Sequence, residues 1–317
     1  MKVMFITDLH GSTLVLRKAL ALCTQVDVDV LMIGGDLSGK RLLTIRPIAN
    51  KKYRIEEPSN QKDDSGTSVE APLFFDIAGE DLKQHCSRLE DKGYYWRITE
   101  IEEIQRLNED REELRRLFEG AICGRIEKWA KMVTALLPAG VSCLWTGGND
   151  DEQGILDALK GRDLGRFEYV EEKIVCVDDY EIMSLGYSNI TPFETGREPD
   201  ERELSARLEK LGNSAKTAER LIMNVHVPPI NCGTLDSVVM RDSGSLVNVG
   251  SSAVRDFILN TQPLADFAGH VHEGQGVATI GRTLVFNPGS DYSSGCLQAF
   301  VATMAEAKIV DYAHFFR

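Results

Sequence analysis

Seven residues spread over most of the chain have the types and spacing of a two-cation site: Asp8 with His10, Asp36, Asn149, His226, and His270 with His272. Carboxylate oxygen, imidazole nitrogen and amide oxygen are donors that suit Mn, Fe, Zn, Co and Ni. Four of the six histidines fall in this set. In Asp8-Leu9-His10 and His270-Val271-His272 the two donors are two apart, so an extended segment presents both on one side. Asp36 and Asn149 each follow a glycine pair, Gly34-Gly35 and Gly147-Gly148, where the backbone can turn sharply and approach closely. The two oxygens of Asp36 suit it to bridging. Two cations about 3.5–4 Å apart form the clamp used for in-line displacement at phosphorus, and they bring the pKa of bound water to near 7. The chemistry indicated is hydrolysis of a phosphoester by a metal-bound hydroxide.

Each motif alone is common, but their placement is not. Every one closes an apolar, β-rich run: KVMFITDLH, VDVLMIGGD, VSCLWTGGND, LIMNVH and LADFAGHVH. Ligands delivered at successive strand ends are how an α/β sheet builds a site at its carboxyl edge. The first forty residues read as a βαβ unit, with Leu14, Leu16, Leu20 and Cys23 marking the helix. Beyond position 141, strands are expected at 142–146, 173–178, 181–185, 220–225, 264–268, 276–280, 282–286 and 297–303, with a helix at 201–214. The DDYEIM and TIGRT turns predict hairpins, hence antiparallel strands beside a parallel portion.

Between Asp36 and Asn149 lie 112 residues, far more than one crossover needs. An insertion over 41–120, a lid or accessory subdomain, is therefore expected inside a single domain of 1–317. Residues 40–97 lack a clear period, apart from a helical then aromatic piece at 81–96. One long helical stretch is expected at 98–137, with Gly120 and Gly124 as kinks or breaks. Its stripe of Leu107, Leu114, Phe118, Ile122, Trp129, Val133 and Leu136 reads as a core-facing seam. Lys40, Arg41, Arg46, Lys51 and Lys52 read as solvated charge.

A net charge of −13 opposes extended, charge-driven binding to nucleic acid. The apolar runs are too short and interrupted for a membrane span, and the start of the chain lacks a signal-peptide layout. Seven dispersed cysteines without a CxxC pair fit a reducing cytoplasm. The expected partner is a small phosphoester substrate, with no membrane; a homo-oligomer is left open.

The order D-x-H, G-D, G-N, H, G-H-x-H, carried by Asp8/His10, Gly35-Asp36, Gly148-Asn149, His226 and Gly269-His270-Val271-His272, resembles the calcineurin-like metallophosphoesterase superfamily. HVPPINCGTLD (226–236), GYSNITPF (186–193) and TLVFNPGSD (283–291) are similar to a bacterial and archaeal branch of it. The resemblance covers roughly 1–40 and 141–303. It implies an α/β fold, a four-layer αββα sandwich with two mixed β-sheets, here with a large insertion after the second strand. It also implies one metal held by Asp8, His10, Asp36 and His272 and another by Asp36, Asn149, His226 and His270, with Mn favoured over Fe, Zn, Ni or Co.

The chain departs from the family's pattern in the long insertion and at one motif. The third motif there reads G-N-H-D/E, its histidine serving as leaving-group acid or phosphate clamp, whereas Gly148-Asn149-Asp150-Asp151 puts Asp150 in the histidine's place. An exposed carboxyl ionises near pH 3.9 and is a poor acid at neutrality. Three roles stay open for Asp150: an unusual catalytic acid, a metal or substrate contact, or a loop cap. General acid catalysis is worth about 10²–10⁴-fold, so a chain without it favours good leaving groups. A phosphodiester is then preferred to a phosphomonoester or nucleotide pyrophosphate. A metal-binding scaffold with little turnover is the alternative of another class.

Asn189 is the candidate substrate contact, with Thr191, Asn231 and Thr234 weaker; His85 and His314 match no motif. Asn287-Pro288-Gly289-Ser290 reads as a structural turn. GGDLSGKR at 34–41 has phosphate-loop spacing, but Arg41 stands where Ser or Thr should be and Asp36 would sit in the cradle.

Overall fold

The strands that lead to the candidate ligands are mostly apolar and buried, and the architecture follows from that. Val30–Ile33 and Leu221–Val225 are buried along their whole length, so neither face meets water and each sheet needs a layer on both sides. The computed structural model, which describes residues 1–62, 68–239 and 244–317, satisfies this with four layers.

The first sheet has six strands in the order Lys308–Phe316, Gln298–Ala305, Lys2–Ile6, Val30–Ile33, Ser142–Trp145, Phe167–Tyr169. The last four run parallel and the first two are antiparallel additions. The second sheet, also six-stranded, is ordered Gly276–Ile280, Thr283–Asn287, Ala265–Phe267, Leu221–Val225, Tyr180–Leu185, Lys173–Val177. Its inner four strands are parallel and both edges antiparallel. Alternating side chains sort into three cores. Val3, Phe5 and Met32 meet Ile182, Ile222 and Phe267 between the sheets. Met4, Ile6 and Leu31 face outward onto Leu16 and Leu20 of helix Thr13–Val26 and onto Trp129 of helix Arg111–Leu136. Met183, Met223 and Val225 pack on Leu204, Leu208, Val254 and Phe257 from helices Glu201–Gly212 and Ser252–Thr261. This is an αββα sandwich with two mixed sheets.

The chain leaves the first sheet after Asp36 and builds a separate four-stranded sheet, ordered Ser68–Ala78, Lys52–Lys62, Leu42–Ile48, Tyr95–Ile98. Helix Leu82–Asp91 covers it over a small core of Leu43, Ile45, Ile55, Cys86 and Leu89. Residues 63–67 of the expected insertion lie outside the described residues. The single long helical stretch expected at 98–137 is two helices, Ile101–Glu109 and Arg111–Leu136. They part at Asp110, whose carboxylate accepts a hydrogen bond from Glu113 N at 2.9 Å, the geometry of an N-cap. Gly120 and Gly124 do not interrupt the second helix. Of the apolar stripe, Leu107, Ile122, Trp129 and Val133 are buried, while Leu114 and Leu136 are exposed.

All seven cysteines are free. No helix among the described residues is long and apolar enough to cross a membrane.

Asp266 is anomalous. It lies level with Met223 and Val285 on neighbouring strands, is fully buried, and neither carboxylate oxygen has a hydrogen-bond partner. Burial alone pushes its pKa well above the ordinary value of 3.8, because the charged form is desolvated. The folded state therefore holds a proton that the unfolded chain releases. The contribution of Asp266 to stability falls as pH rises from about 4 towards its folded-state pKa. In Asp266→Asn this loss should vanish. Unfolding midpoints of both proteins between about pH 4 and pH 9 should diverge with rising pH, the variant gaining; parallel curves would refute the assignment.

Candidate metal centre

The ligand candidates sit on the loops leaving the carboxyl ends of five parallel strands, three from the first sheet and two from the second. The loops interlock through their backbones: Asp8 N donates to Gly35 O at 3.0 Å, His10 N to Asp36 O at 2.8 Å, and Gly269 N to His226 O at 2.9 Å. Asp8, His10, Asp36 and His270 all have positive φ, at 52°, 41°, 49° and 65°. Non-glycine residues in that region cost about 1–3 kcal/mol each and persist where the surroundings over-determine them, commonly at functional sites.

Seven side chains converge from these loops. Asp36 stands between two groups, its Oδ2 3.6 Å from His10 Nε2 and its Oδ1 3.5 Å from His226 Nε2. On one side His10 Nε2 is 3.1 Å from His272 Nε2, which is 3.4 Å from Asp8 Oδ1. On the other, Asn149 Oδ1 is 3.0 Å from His226 Nε2 and 2.9 Å from His270 Nδ1. His226 Nδ1 lies 2.7 Å from Gly34 O. That contact makes Nδ1 the protonated nitrogen and turns the lone pair of Nε2 into the cluster.

Buried donors that face one another need a proton or a cation between them. His10 Nδ1 is buried with no hydrogen-bond partner, and the paired imidazole nitrogens of His10 and His272 can share one proton at most. Carboxylate, imidazole and amide oxygen together fit a borderline divalent cation. The electrostatics agree. Burial alone would raise Asp8, but His272 and His226 outweigh it and bring its pKa down to about 2. Burial is likewise overcome at Asp36, where His226, His10 and His270 hold the carboxyl far below its usual range. Burial lowers His10 and His270 to about 4, and they stay neutral. Burial opposes protonation of His226 too, yet Asp36 draws its pKa up to about 10. A cation entering there displaces that proton.

No family model matches the chain. An uncharacterized protein of Methanocaldococcus jannaschii is 29% identical over 174 residues, 53% of this chain and 75% of that protein. One solved structure aligns over 100% of this chain and 98% of its own, with a TM-score of 0.58 and 16% identity. A Thermus thermophilus protein aligns over 94% of this chain and 92% of its own, with a TM-score of 0.52 and 13% identity. At those identities the likeness to the two structures extends to the fold. The αββα sandwich is the architecture that the sequence resemblance led us to expect.

Within that fold, the position where the superfamily pattern has histidine is engaged here by a lysine. Asp150 Oδ2 lies 2.8 Å from Lys40 Nζ and 3.8 Å from His10 Nδ1, and Asp150 N donates to Asp36 Oδ1 at 2.9 Å. Lys40, read from sequence as solvated charge, thus places an ammonium beside the cluster, and Asp150 is the residue that holds it. Asn189 lines a cavity together with Asp36, Asn149, His270 and His272. Its Nδ2 donates to Val249 O and Gly250 O, at 3.2 and 3.4 Å, while its buried Oδ1 has no hydrogen-bond partner. The phosphate-loop spacing at 34–41 leads into strand Leu42–Ile48 rather than a helix, so it forms no anion-binding turn.

The sequence reading missed the residues that hold the ligands in place. Thr195 Oγ1 and Glu198 Oε1 accept from Asn149 Nδ2 at 2.9 and 3.3 Å, which points its Oδ1 at the histidines. Asp151 is fully buried and accepts from Leu37 N, Ser38 N and Gly148 N at 3.0, 2.8 and 2.8 Å, tying the Asp36 loop to the Asn149 loop. Asn287, read as part of a turn, donates to Gly269 O and Val271 O at 3.2 and 3.0 Å and anchors the His270–His272 loop. Asp151 had a signal, its place beside Asn149. Thr195 and Glu198 had none.

Gly148 shows how tightly these loops meet, since a Cβ there would lie 2.0 Å from Asp36 Oδ1 and 2.4 Å from Asp36 N. Gly148→Ala must push the two loops apart. Equilibrium dialysis with Mn²⁺ should show affinity lower by about 10–100-fold, the usual effect of disturbing a ligand's support. Unchanged affinity would mean that Asp36 and Asn149 do not hold a common centre.

Proposed function

We propose that this chain is a metal-dependent phosphoesterase, using two divalent transition-metal cations with manganese first among the candidates, and that phosphodiesters suit it better than phosphomonoesters. Asp8, His10, Asp36 and His272 would hold one cation, and Asp36, Asn149, His226 and His270 the other. The observation that carries the reading is the carboxylate of Asp36, directed through its two oxygens at two separate histidine groups. Cations bound there supply a water that ionises near neutral pH and offset charge on the phosphoryl oxygens.

The chain's own groups support the proposed diester preference. Lys40 reaches the rim of the cluster and offers its ammonium to a phosphoryl or leaving-group oxygen. Burial works against its charge, yet the hydrogen bond to Asp150 raises its pKa, so it acts as a fixed charge and not as a proton donor. Asp150, the residue at the histidine position, adds a carboxylate beside the site. A monoester dianion meets more repulsion from that carboxylate than a diester monoanion does. Loss of a general acid also favours substrates with good leaving groups. The free cysteines support a place in the cytoplasm.

Protein stripped with a chelator and reloaded with Mn²⁺ should hydrolyse bis(4-nitrophenyl) phosphate, with a higher kcat/KM than for 4-nitrophenyl phosphate. Stripped protein should not. Turnover that survives removal of all metal would overturn the reading, and a preference for the monoester would overturn its diester part.

A further inference from the structure

We propose that the cleft above the ligand cluster binds the apolar body of an amphiphilic phosphoester, a substrate with one phosphoryl group and a bulky uncharged hydrocarbon or aromatic group. The proposal rests on the phosphoesterase reading for the reacting end, but its observations lie outside the ligand set.

The cavity holds about 1310 Å³, and Asp36, Asn149, His270 and His272 form part of its lining. That is larger than the roughly 300–1,000 Å³ of typical small-molecule sites. Two walls rise from the ligands. One is the turn bearing Ile190 and Phe193, and the other comes from strands Ser237–Val239 and Leu246–Asn248. Phe193, Leu246, Ile190 and Val239 are 81%, 71%, 66% and 64% exposed, the four most exposed large apolar side chains among the described residues. All four line this one cavity. Single exposed apolar residues need no explanation, but a contiguous set lining a cleft marks a binding surface.

Charge narrows the ligand further. Lys40 is the only lysine or arginine among the described lining residues, and Asp150 already pairs with it. Glu152, Glu201 and Glu273 line the cavity as well. Among the described lining residues a second phosphate would find no uncommitted lysine or arginine and would face three carboxylates, which disfavours nucleoside polyphosphates. A hydrocarbon group meets no such penalty, and each methylene fully buried tightens binding about fourfold. Because the apolar walls run directly to the ligand cluster, the occupant is the substrate's own body. A partner's surface would close the only described approach to the cluster through this cavity.

Mn²⁺-loaded protein should be assayed with 4-nitrophenyl alkyl phosphodiesters carrying methyl, butyl and octyl groups, each below its micelle concentration. We expect kcat/KM to rise at least about tenfold from methyl to octyl. Phe193→Asp and Leu246→Asp should pull the octyl-to-methyl ratio towards one, while Val310→Asp, on strand Lys308–Phe316, should leave the ratio as in the wild type. Calorimetry provides a readout without turnover, and octylphosphonate should bind more tightly than methylphosphonate by a similar factor. A flat alkyl series from a protein that turns over the methyl ester would overturn the cleft proposal and leave the phosphoesterase reading standing. A preference for octylphosphonate, lost in Phe193→Asp, with no turnover of any ester, would support the cleft and overturn the phosphoesterase reading. Sedimentation showing a dimer that Phe193→Asp dissociates would assign the surface to a second copy and overturn the proposal.

Discussion

Asp36→Asn should lower turnover of bis(4-nitrophenyl) phosphate by about a thousandfold or more and reduce the Mn²⁺ retained after dialysis. The size follows from what the side chain touches. It reaches both histidine clusters, His10 through Oδ2 and His226 through Oδ1. A cation clamp on a phosphoryl group is worth several kcal/mol, and each 1.36 kcal/mol is a factor of ten in rate. The amide keeps the shape of the carboxylate and loses its charge. Asparagine also tolerates the positive φ of 49° at this position, so the fold should survive. The measurement is therefore paired: metal content and rate should fall while the unfolding midpoint of the stripped protein holds. Full retention of two cations by Asp36→Asn would remove the basis for a bridging role.

That experiment probes what the sequence made legible. Ligand types, their two-residue spacing and their position at the ends of apolar runs are local patterns, because a strand end and a glycine pair are written in neighbouring residues. The central strands of both sheets were readable for the same reason, being apolar on both faces, whereas short Phe167–Tyr169 and the largely exposed edge strand Lys308–Phe316 were not. The insertion was not. Strand Lys52–Lys62 is largely hydrophilic and pairs as a long hairpin with Ser68–Ala78, whose alternation of Val69, Ala71, Leu73, Phe75 and Ile77 was a signal among turn-forming neighbours. The break at Asp110 was overlooked because Gly120 and Gly124 were better-known helix breakers, whereas a capping aspartate sat between two helical patterns. The supporting residues were invisible for a different reason. Glu171 and Arg197 are distant in sequence from Asn149 and act on it only through the folded chain.

Arg197 gives the second large effect. It is 1% exposed and forms an ion pair with Glu171 at 3.0 Å. Its Nε donates to Gly148 O at 3.0 Å, and its guanidinium stacks 4.1 Å from the ring centre of Tyr187. Glu171 accepts from Gly147 N and Gly186 N at 3.1 and 2.9 Å, and also from the Thr146 hydroxyl. The pair therefore clamps the glycine turn that carries Asn149. Arg197→Ala leaves the Glu171 carboxylate buried without its counter-charge, which costs about 3–5 kcal/mol of stability. Denaturant unfolding should show that loss, together with a drop in Mn²⁺ affinity of about 10–100-fold from the displaced turn. The double variant Arg197→Met, Glu171→Gln removes both charges, so it should regain part of the stability. It should not regain the affinity, because the hydrogen bond to Gly148 O is still missing. If the two losses recovered together, the ion pair would matter to the metal site only through global stability. If the affinity stayed low, Arg197 would be a positioning residue for Asn149, acting on the cluster without touching it.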